Sequence, residues 1–166
     1  MLRLSLMRHA KSDWDDPLLS DHDRPLNGRG RRSARALGDW MRSRHYQPEQ
    51  VLSSSAERTG ETLLGLELVP TPETIFTRAL YLAGPDVMMD VLSTATAPTV
   101  LMIGHNPGIG ALAQRLAQSP PDHPRFADYP TGATLVCDFE ADSWAQIRWH
   151  QGQVVDFVVP RELVPA

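Results

Sequence analysis

The sequence predicts an α/β fold: a three-layer sandwich with a mostly parallel sheet, helices on both faces and an antiparallel edge near the C-terminus. Three observations predict it. Over the first two-thirds of the chain, short apolar runs alternate with segments of helical period, the order that builds parallel sheets with crossover helices. Thr99–Ile103 is apolar without alternation, as in a strand covered on both sides. The tail instead holds three apolar runs joined by short turns, the pattern of added antiparallel strands.

In order, Leu2, Leu4 and Leu6 alternate with Arg3 and Ser5, giving a first strand that ends at Arg8-His9. Residues 10–27 hold Pro17, Pro25 and five aspartates and read as a long surface loop. Ala34, Leu37 and Met41 share one face of a helix from Gly28 to His45. Val51-Leu52 is a short strand; Ser53–Ser55 lead from it into a helix with Ala56, Thr59, Leu63 and Leu66 on one face. Thr74–Phe76 is a third strand. Gly84-Pro85-Asp86 opens a helix carrying Val87, Val91 and Leu92, with proline at a first-turn position that needs no N–H. The Thr99–Ile103 strand runs into Gly104–Gly108, then a helix with Ile109, Leu112 and Leu116 inward. Residues 119–132 form a proline-rich loop, and Leu135–Phe139, Gln146–Trp149 and Val154–Val159 are the closing strands.

Composition narrows the function classes. The 166 residues are expected to form one domain, residues 1–166, since 42% are hydrophobic and 22% charged. A formal net charge of −4 argues against a nucleic-acid binder. Cys137 is the only cysteine, which excludes an intrachain disulfide and a cysteine zinc site and fits a reducing, cytoplasmic setting. No stretch reaches the roughly 20 apolar residues of a membrane helix, and the N-terminal alternation reads as a strand rather than a signal-peptide core. A monomer is expected.

Ligands of open α/β sheets bind beyond the carboxyl ends of the strands. Three such ends carry polar residues here: Arg8-His9, the serines leading to Arg58, and Gly104-His105. Two histidines and two arginines therefore converge, without a carboxylate at any of the three tips. That set suits a phosphoryl group. Guanidinium forks match phosphate oxygens, and helix N-termini near Ser55 and Gly108 add free N–H groups. A neutral imidazole can attack phosphorus, and a second, protonated beside a bound dianion, can stabilise the equatorial oxygens.

Four ordered blocks carry a family resemblance. Arg8-His9-Ala10-Lys11-Ser12-Asp13-Trp14-Asp15 resembles the opening motif of the histidine phosphatase superfamily, the phosphoglycerate-mutase-like fold. Pro25–Gly30, Ser55-Ala56-Glu57-Arg58-Thr59 and Gly104-His105-Asn106-Pro107-Gly108 resemble its following blocks. The tail, with Pro130-Thr131-Gly132-Ala133 and Phe157–Arg161, is similar to that of the short SixA-type phosphohistidine phosphatases. The resemblance implies that His9 is the nucleophile that becomes phosphorylated and that Arg8, Arg58, His105 and Ser12 hold the phosphoryl oxygens. It further implies a phosphorylated protein or small phosphorylated molecule as substrate, with no metal and no organic cofactor; the short chain itself shows no helical insertion to cap the site.

The chain departs from the pattern in three places. Ala10 stands where glycine is usual, which costs little if its φ is negative. Asp15 replaces an asparagine near the phosphate and is expected to turn outward or pair with Lys11 or an arginine. The glutamate that protonates leaving alcohols in sugar-phosphate members has no counterpart; Glu73, the only carboxylate in Thr71–Tyr81, precedes its strand. An imidazole leaving group, with a conjugate-acid pKa of about 6.5, needs no strong acid. The favoured substrate is therefore protein phosphohistidine. The alternatives are a phosphoester phosphatase or mutase drawing a proton from Asp15, Asp16 or Asp21, and a non-catalytic phosphate-binding module. Outside the motif, His22, His45, His123 and His150 read as solvated, the arginines from Arg24 to Arg44 as an exposed face, and Cys137 as core. Trp14 is read as either pocket rim or core.

Overall fold

A computed structural model describes residues 1–164. The strands are β1 (Leu2–Arg8), β2 (Gln50–Ser54), β3 (Glu73–Thr77), β4 (Thr99–Gly104), β5 (Thr134–Phe139) and β6 (Gln153–Val158). The helices are α1 (Gly28–Ser43), α2 (Glu57–Leu66), α3 (Pro85–Leu92) and α4 (Gly108–Leu116). One sheet holds all six strands in the order β3-β2-β4-β1-β5-β6. The first four in that order run parallel, and β5 and β6 add antiparallel pairings. This is the predicted sandwich with its antiparallel edge.

Each face of the sheet buries its own apolar cluster. Leu37, Trp40 and Met41 of α1 and Leu66 of α2 pack with Val51, Leu101 and Ile103 on one side. Met88 and Leu92 of α3 and Ile109, Leu112 and Leu116 of α4 pack with Leu4, Leu6, Val100 and Met102 on the other. Leu101 and Met102 thus face opposite layers, and burial on both faces explains the unbroken apolar run in β4. Each fully buried leucine contributes roughly 1.5–3 kcal/mol. No helix among the described residues is long and apolar enough to cross a membrane.

The helix starts follow the predicted chemistry with one change. The Asn27 side chain accepts from the Gly30 N–H at 2.8 Å, capping α1. Gly84 and Pro85 open α3 as expected. Ala56, not a serine, is the N-cap of α2, and Ser54 Oγ instead accepts the Ala56 N–H at 3.2 Å.

Three expectations are corrected. Gln146–Trp149 is not a strand: the Trp144 indole donates to the Ala97 carbonyl and the ring is buried, which winds 144–146 into a single 3-10 turn. In α3, Met88 and Leu92 face the core and Val87 is 45% exposed. Residues 10–27 are not a plain surface loop. Ser12 bridges to Leu26 in an antiparallel contact, both are buried, and 21–23 form a 3-10 turn. Arg24 belongs to no exposed face, being 7% exposed within that fold-back.

Candidate active site

β1 and β4 are parallel neighbours with Arg8 opposite Gly104. His9 and His105 therefore leave adjacent strand ends at the same level. The chain after β1 crosses to the α1 face, whereas that after β4 enters α4 on the other, so a crevice opens between the two tips. Backbone bonds fix the spot. The His9 N–H donates to the Gly104 carbonyl at 3.1 Å, and the Gly132 N–H donates to the Arg8 and His9 carbonyls at 3.1 and 2.9 Å. Gly132 has φ +76°, and a Cβ there would lie 2.4 Å from Pro160 Cγ. Only glycine fits this turn without displacing the tail.

Arg58 arrives from the neighbouring strand. Thr59 Oγ1 donates to the Ser54 carbonyl at 2.7 Å, tying the start of α2 to β2. Thr62 Oγ1 donates to the Arg58 carbonyl and accepts the Ala10 N–H at 3.0 Å, tying it to the end of β1. Ala10 is absent from the residues with positive φ, which is why it serves in place of glycine. On the other side, Asn106 donates to the carbonyls of Asp128 and Tyr129 and accepts the Gly110 N–H, holding the β4–α4 turn.

These ties bring every predicted site residue to one cavity of about 180 Å³, lined by Arg8, His9, Ser12, Arg58 and His105. The imidazole centroids lie 5.3 Å apart. His9 Nδ1 is 2.7 Å from the Ala10 carbonyl oxygen, which can only accept. The proton therefore sits on Nδ1, and Nε2 keeps a lone pair with no partner among the described residues. His105 has the opposite tautomer. Its Nδ1 lies 3.3 Å from Arg58 Nη2, which can only donate, so Nε2 carries the proton and donates to Ser54 Oγ at 2.8 Å.

Both rings are neutral near pH 7. Burial, reinforced by His105, Arg58 and Arg8 and opposed by the Ala10 carbonyl, lowers the His9 pKa to about 3. Burial and then the Arg58 charge lower that of His105 to about 4. A dianion in the cavity would reverse the electrostatic part of both shifts. The cavity offers cationic donors to such an anion. Arg8 and Arg58 each have a buried Nε without a hydrogen-bond partner, and buried donors of this kind are otherwise almost always satisfied.

Among the described residues, one carboxylate reaches this machinery. Asp21, from the folded loop, accepts from Arg58 Nη2 at 3.0 Å, from Arg24 Nη2 at 3.0 Å and from the Tyr81 hydroxyl. Its backbone carbonyl accepts from Arg58 Nη1 at 2.6 Å. Burial alone would raise the Asp21 pKa, but the bonds from Tyr81, Arg24 and Arg58 outweigh it and hold the group well below the usual carboxylate range. Asp15 and Asp16 are exposed, and Asp15 turns outward. Among the described residues, none that lines the cavity is acidic. Among the described residues, no group of three or more His, Cys, Asp or Glu side chains is placed to hold a metal ion.

Several neighbours were not legible as site residues. Arg24 donates to Ser12 Oγ at 2.8 Å and stacks 3.4 Å over the Trp14 ring. Ser12 is thereby engaged as an acceptor in the cavity wall. Trp14, 71% exposed, is rim rather than core. Tyr81 sets its edge against His105 at 5.4 Å and contacts His22. His22 is not simply solvated: its Nε2 lies 2.8 Å from Ser55 Oγ. His123 likewise pairs with Glu162 at 2.8 Å, while His45 and His150 are exposed as expected. Asn106 and Thr131 sit inside the quoted motif blocks, the one signal that could have marked them.

Comparison with known proteins agrees with this geometry. A family model described as "Histidine phosphatase superfamily (branch 1)" matches residues 4–80, which include Arg8, His9 and Arg58. An uncharacterized protein of Mycobacterium tuberculosis is 33% identical over 162 residues, 93% of this chain and 100% of that one. The structure of a phosphohistidine phosphatase SixA candidate from Nakamurella multipartitia superposes with a TM-score of 0.82 at 27% identity, covering 96% of both chains. A second SixA candidate, from Agrobacterium tumefaciens, gives 0.78 at 25% identity over 96% of this chain and 98% of that one. With its sheet order, its paired strand-end histidines and these matches, the chain belongs to the histidine phosphatase superfamily, a family of phosphatases.

Proposed function

We propose that the protein hydrolyses phosphohistidine on another protein through a phosphorylated His9. His9 Nε2 attacks the phosphorus, the P–N bond breaks, and the departing imidazole takes a proton from its surroundings. Water then attacks phospho-His9, releasing phosphate and restoring the neutral ring. The Ala10 carbonyl keeps the Nδ1 proton in place through both steps, so Nε2 always presents its lone pair. Arg8 and Arg58 hold the equatorial oxygens, and His105 gains a proton as the dianion enters and donates to it. Ser12 acts from the wall, through Arg24.

One observation carries the choice of substrate. The single carboxylate that touches this constellation among the described residues, Asp21, is held ionised by three donors. An ionised carboxylate cannot protonate a leaving alkoxide, whereas an imidazole leaves without such help. The competing reading, a phosphoester phosphatase, has in its favour that Asp21 does come to Arg58 from the predicted loop. It requires that same group to carry a proton at working pH.

Turnover on a phosphohistidine-bearing peptide and on a panel of sugar phosphates separates the two. We expect rapid phosphate release from the former, slow release from the latter, and none from either by His9→Ala. Fast sugar-phosphate turnover without phosphohistidine turnover would favour the phosphoester reading. Unchanged release by His9→Ala would end both.

A further inference from the structure

A second cavity, of about 380 Å³, adjoins the first; Arg8, Lys11 and Thr131 line both. Its walls come from the start of α1, the loop before β5 and the 160–162 turn. Five of its side chains are cationic (Arg8, Lys11, Arg29, Arg125 and Arg161), against one carboxylate, Asp128. Arg125 already engages Asp128, at 2.9 Å. Lys11, Arg29 and Arg161 are exposed and have no carboxylate partner among the described residues.

Composition does not explain this cluster, because the chain as a whole carries a formal charge of −4. Helix energetics oppose it as well. The first turn of α1 has no acidic residue and holds Arg29 and Arg31, so like charges stand against the positive end of the helix dipole. Five cations beside a phosphoryl cavity form a field that attracts and orients an anionic partner.

We propose that this groove docks carboxylate side chains that flank the phosphohistidine of an acidic protein substrate. The idea deepens the phosphohistidine reading of His9 and rests on it for its catalytic arm. A peptide segment fits better than the second phosphate of a small molecule. The free cations sit on long exposed side chains from three separate segments, not in one buried fork, and the groove has about twice the volume of the phosphoryl cavity, 380 against 180 Å³.

The test pairs Arg29→Glu/Arg161→Glu with a charge-matched control away from the groove, Arg35→Glu/Arg148→Glu. All four positions are exposed, so folding is retained. The first readout is binding of an unphosphorylated glutamate-rich peptide at low and high salt. The wild type and the control should bind it alike; the groove variant should lose roughly tenfold or more at low salt, with the difference shrinking as salt rises. The second readout is kinetic. KM on the same peptide bearing phosphohistidine should rise by a similar factor, while turnover of phosphoramidate stays constant. Wild-type protein that binds acidic and neutral peptides equally, or a control that loses as much as the groove variant, would overturn the proposal. Groove-dependent binding of a small bisphosphate but not of the peptide would overturn the protein partner. A wild type that binds the acidic peptide through the groove yet never releases phosphate from phosphohistidine would sink the proposed reaction and leave the docking site standing.

Discussion

Replacing Asp21 by asparagine separates a positioning carboxylate from a proton donor. Asparagine keeps the shape and an acceptor oxygen but removes the charge. Asp21 Oδ2 lies 3.0 Å from Arg58 Nη2, with the Arg58 side chain 3% and the Asp21 side chain 43% exposed. A hydrogen bond to a charged group contributes roughly 1.5–3 kcal/mol and an exposed ion pair roughly 0–1 kcal/mol. With one partner buried and the other half in water, the charge should contribute about 1–2 kcal/mol. At roughly 2–4 °C per kcal/mol for this chain length, the melting temperature should fall by about 2–8 °C. Catalysis should respond less. With Asp21 only orienting Arg58, kcat on phosphohistidine should stay within about tenfold and the pH profile should keep its shape. Loss of general-acid catalysis would instead lower kcat by roughly 10²–10⁴-fold and erase one limb of the profile. Thermal unfolding and steady-state kinetics across pH decide between them. A kcat loss of that larger size, together with the missing limb, would refute the reading of Asp21 as a fixed counter-charge.

Other perturbations have equally definite outcomes. Because the folded-state pKa values of His9 and His105 lie at about 3 and about 4, below the roughly 6.5 of an unfolded histidine, the unfolded chain takes up protons first as pH falls. Stability from these rings is full above about pH 6.5 and drains away as pH falls, toward 4 for His105 and toward 3 for His9, by at most about 2 kcal/mol per ring at pH 5. Denaturant unfolding at pH 7 and 5 should show the loss, and His9→Ala/His105→Ala should reduce it. Arg58→Lys keeps a charge but loses the fork that reaches Asp21 and His105, and should lower kcat/KM by roughly 10²-fold while the fold survives, as circular dichroism would show. Gly108→Ala would set a Cβ 1.8 Å from the Ala83 carbonyl oxygen. It should destabilise the protein by at least about 2 kcal/mol and weaken phosphate binding, measured by unfolding and by anion titration.

What the sequence discloses here is whatever local chemistry controls. β1 and β4 are readable from alternation and from an unbroken apolar run, and the residue after each strand is carried to the sheet edge by geometry alone. His9, Arg8 and His105 were therefore predictable as neighbours once the strands were parallel, and Arg58 once α2 followed β2. Arg24 and Tyr81 were not, and Asp21 was only one of three loop carboxylates that could reach the site. They meet only because residues 12–26 fold back through the Ser12–Leu26 bridge, a tertiary contact with no period in the chain. Gln146–Trp149 failed for the converse reason. Ile147 and Trp149 mimic strand alternation, but the segment follows Trp144, which is buried with its indole N–H on the Ala97 carbonyl, into a 3-10 turn.

The most direct measurement is the site of the covalent phosphoryl group during turnover. Wild-type protein mixed with phosphoramidate, denatured at alkaline pH so that the P–N bond persists, and mapped by mass spectrometry should carry one phosphoryl group on the peptide containing His9. His9→Ala should carry none. Steady phosphate release with no phosphorylated intermediate, or the group on any residue other than His9, would contradict a mechanism built on that ring's free Nε2.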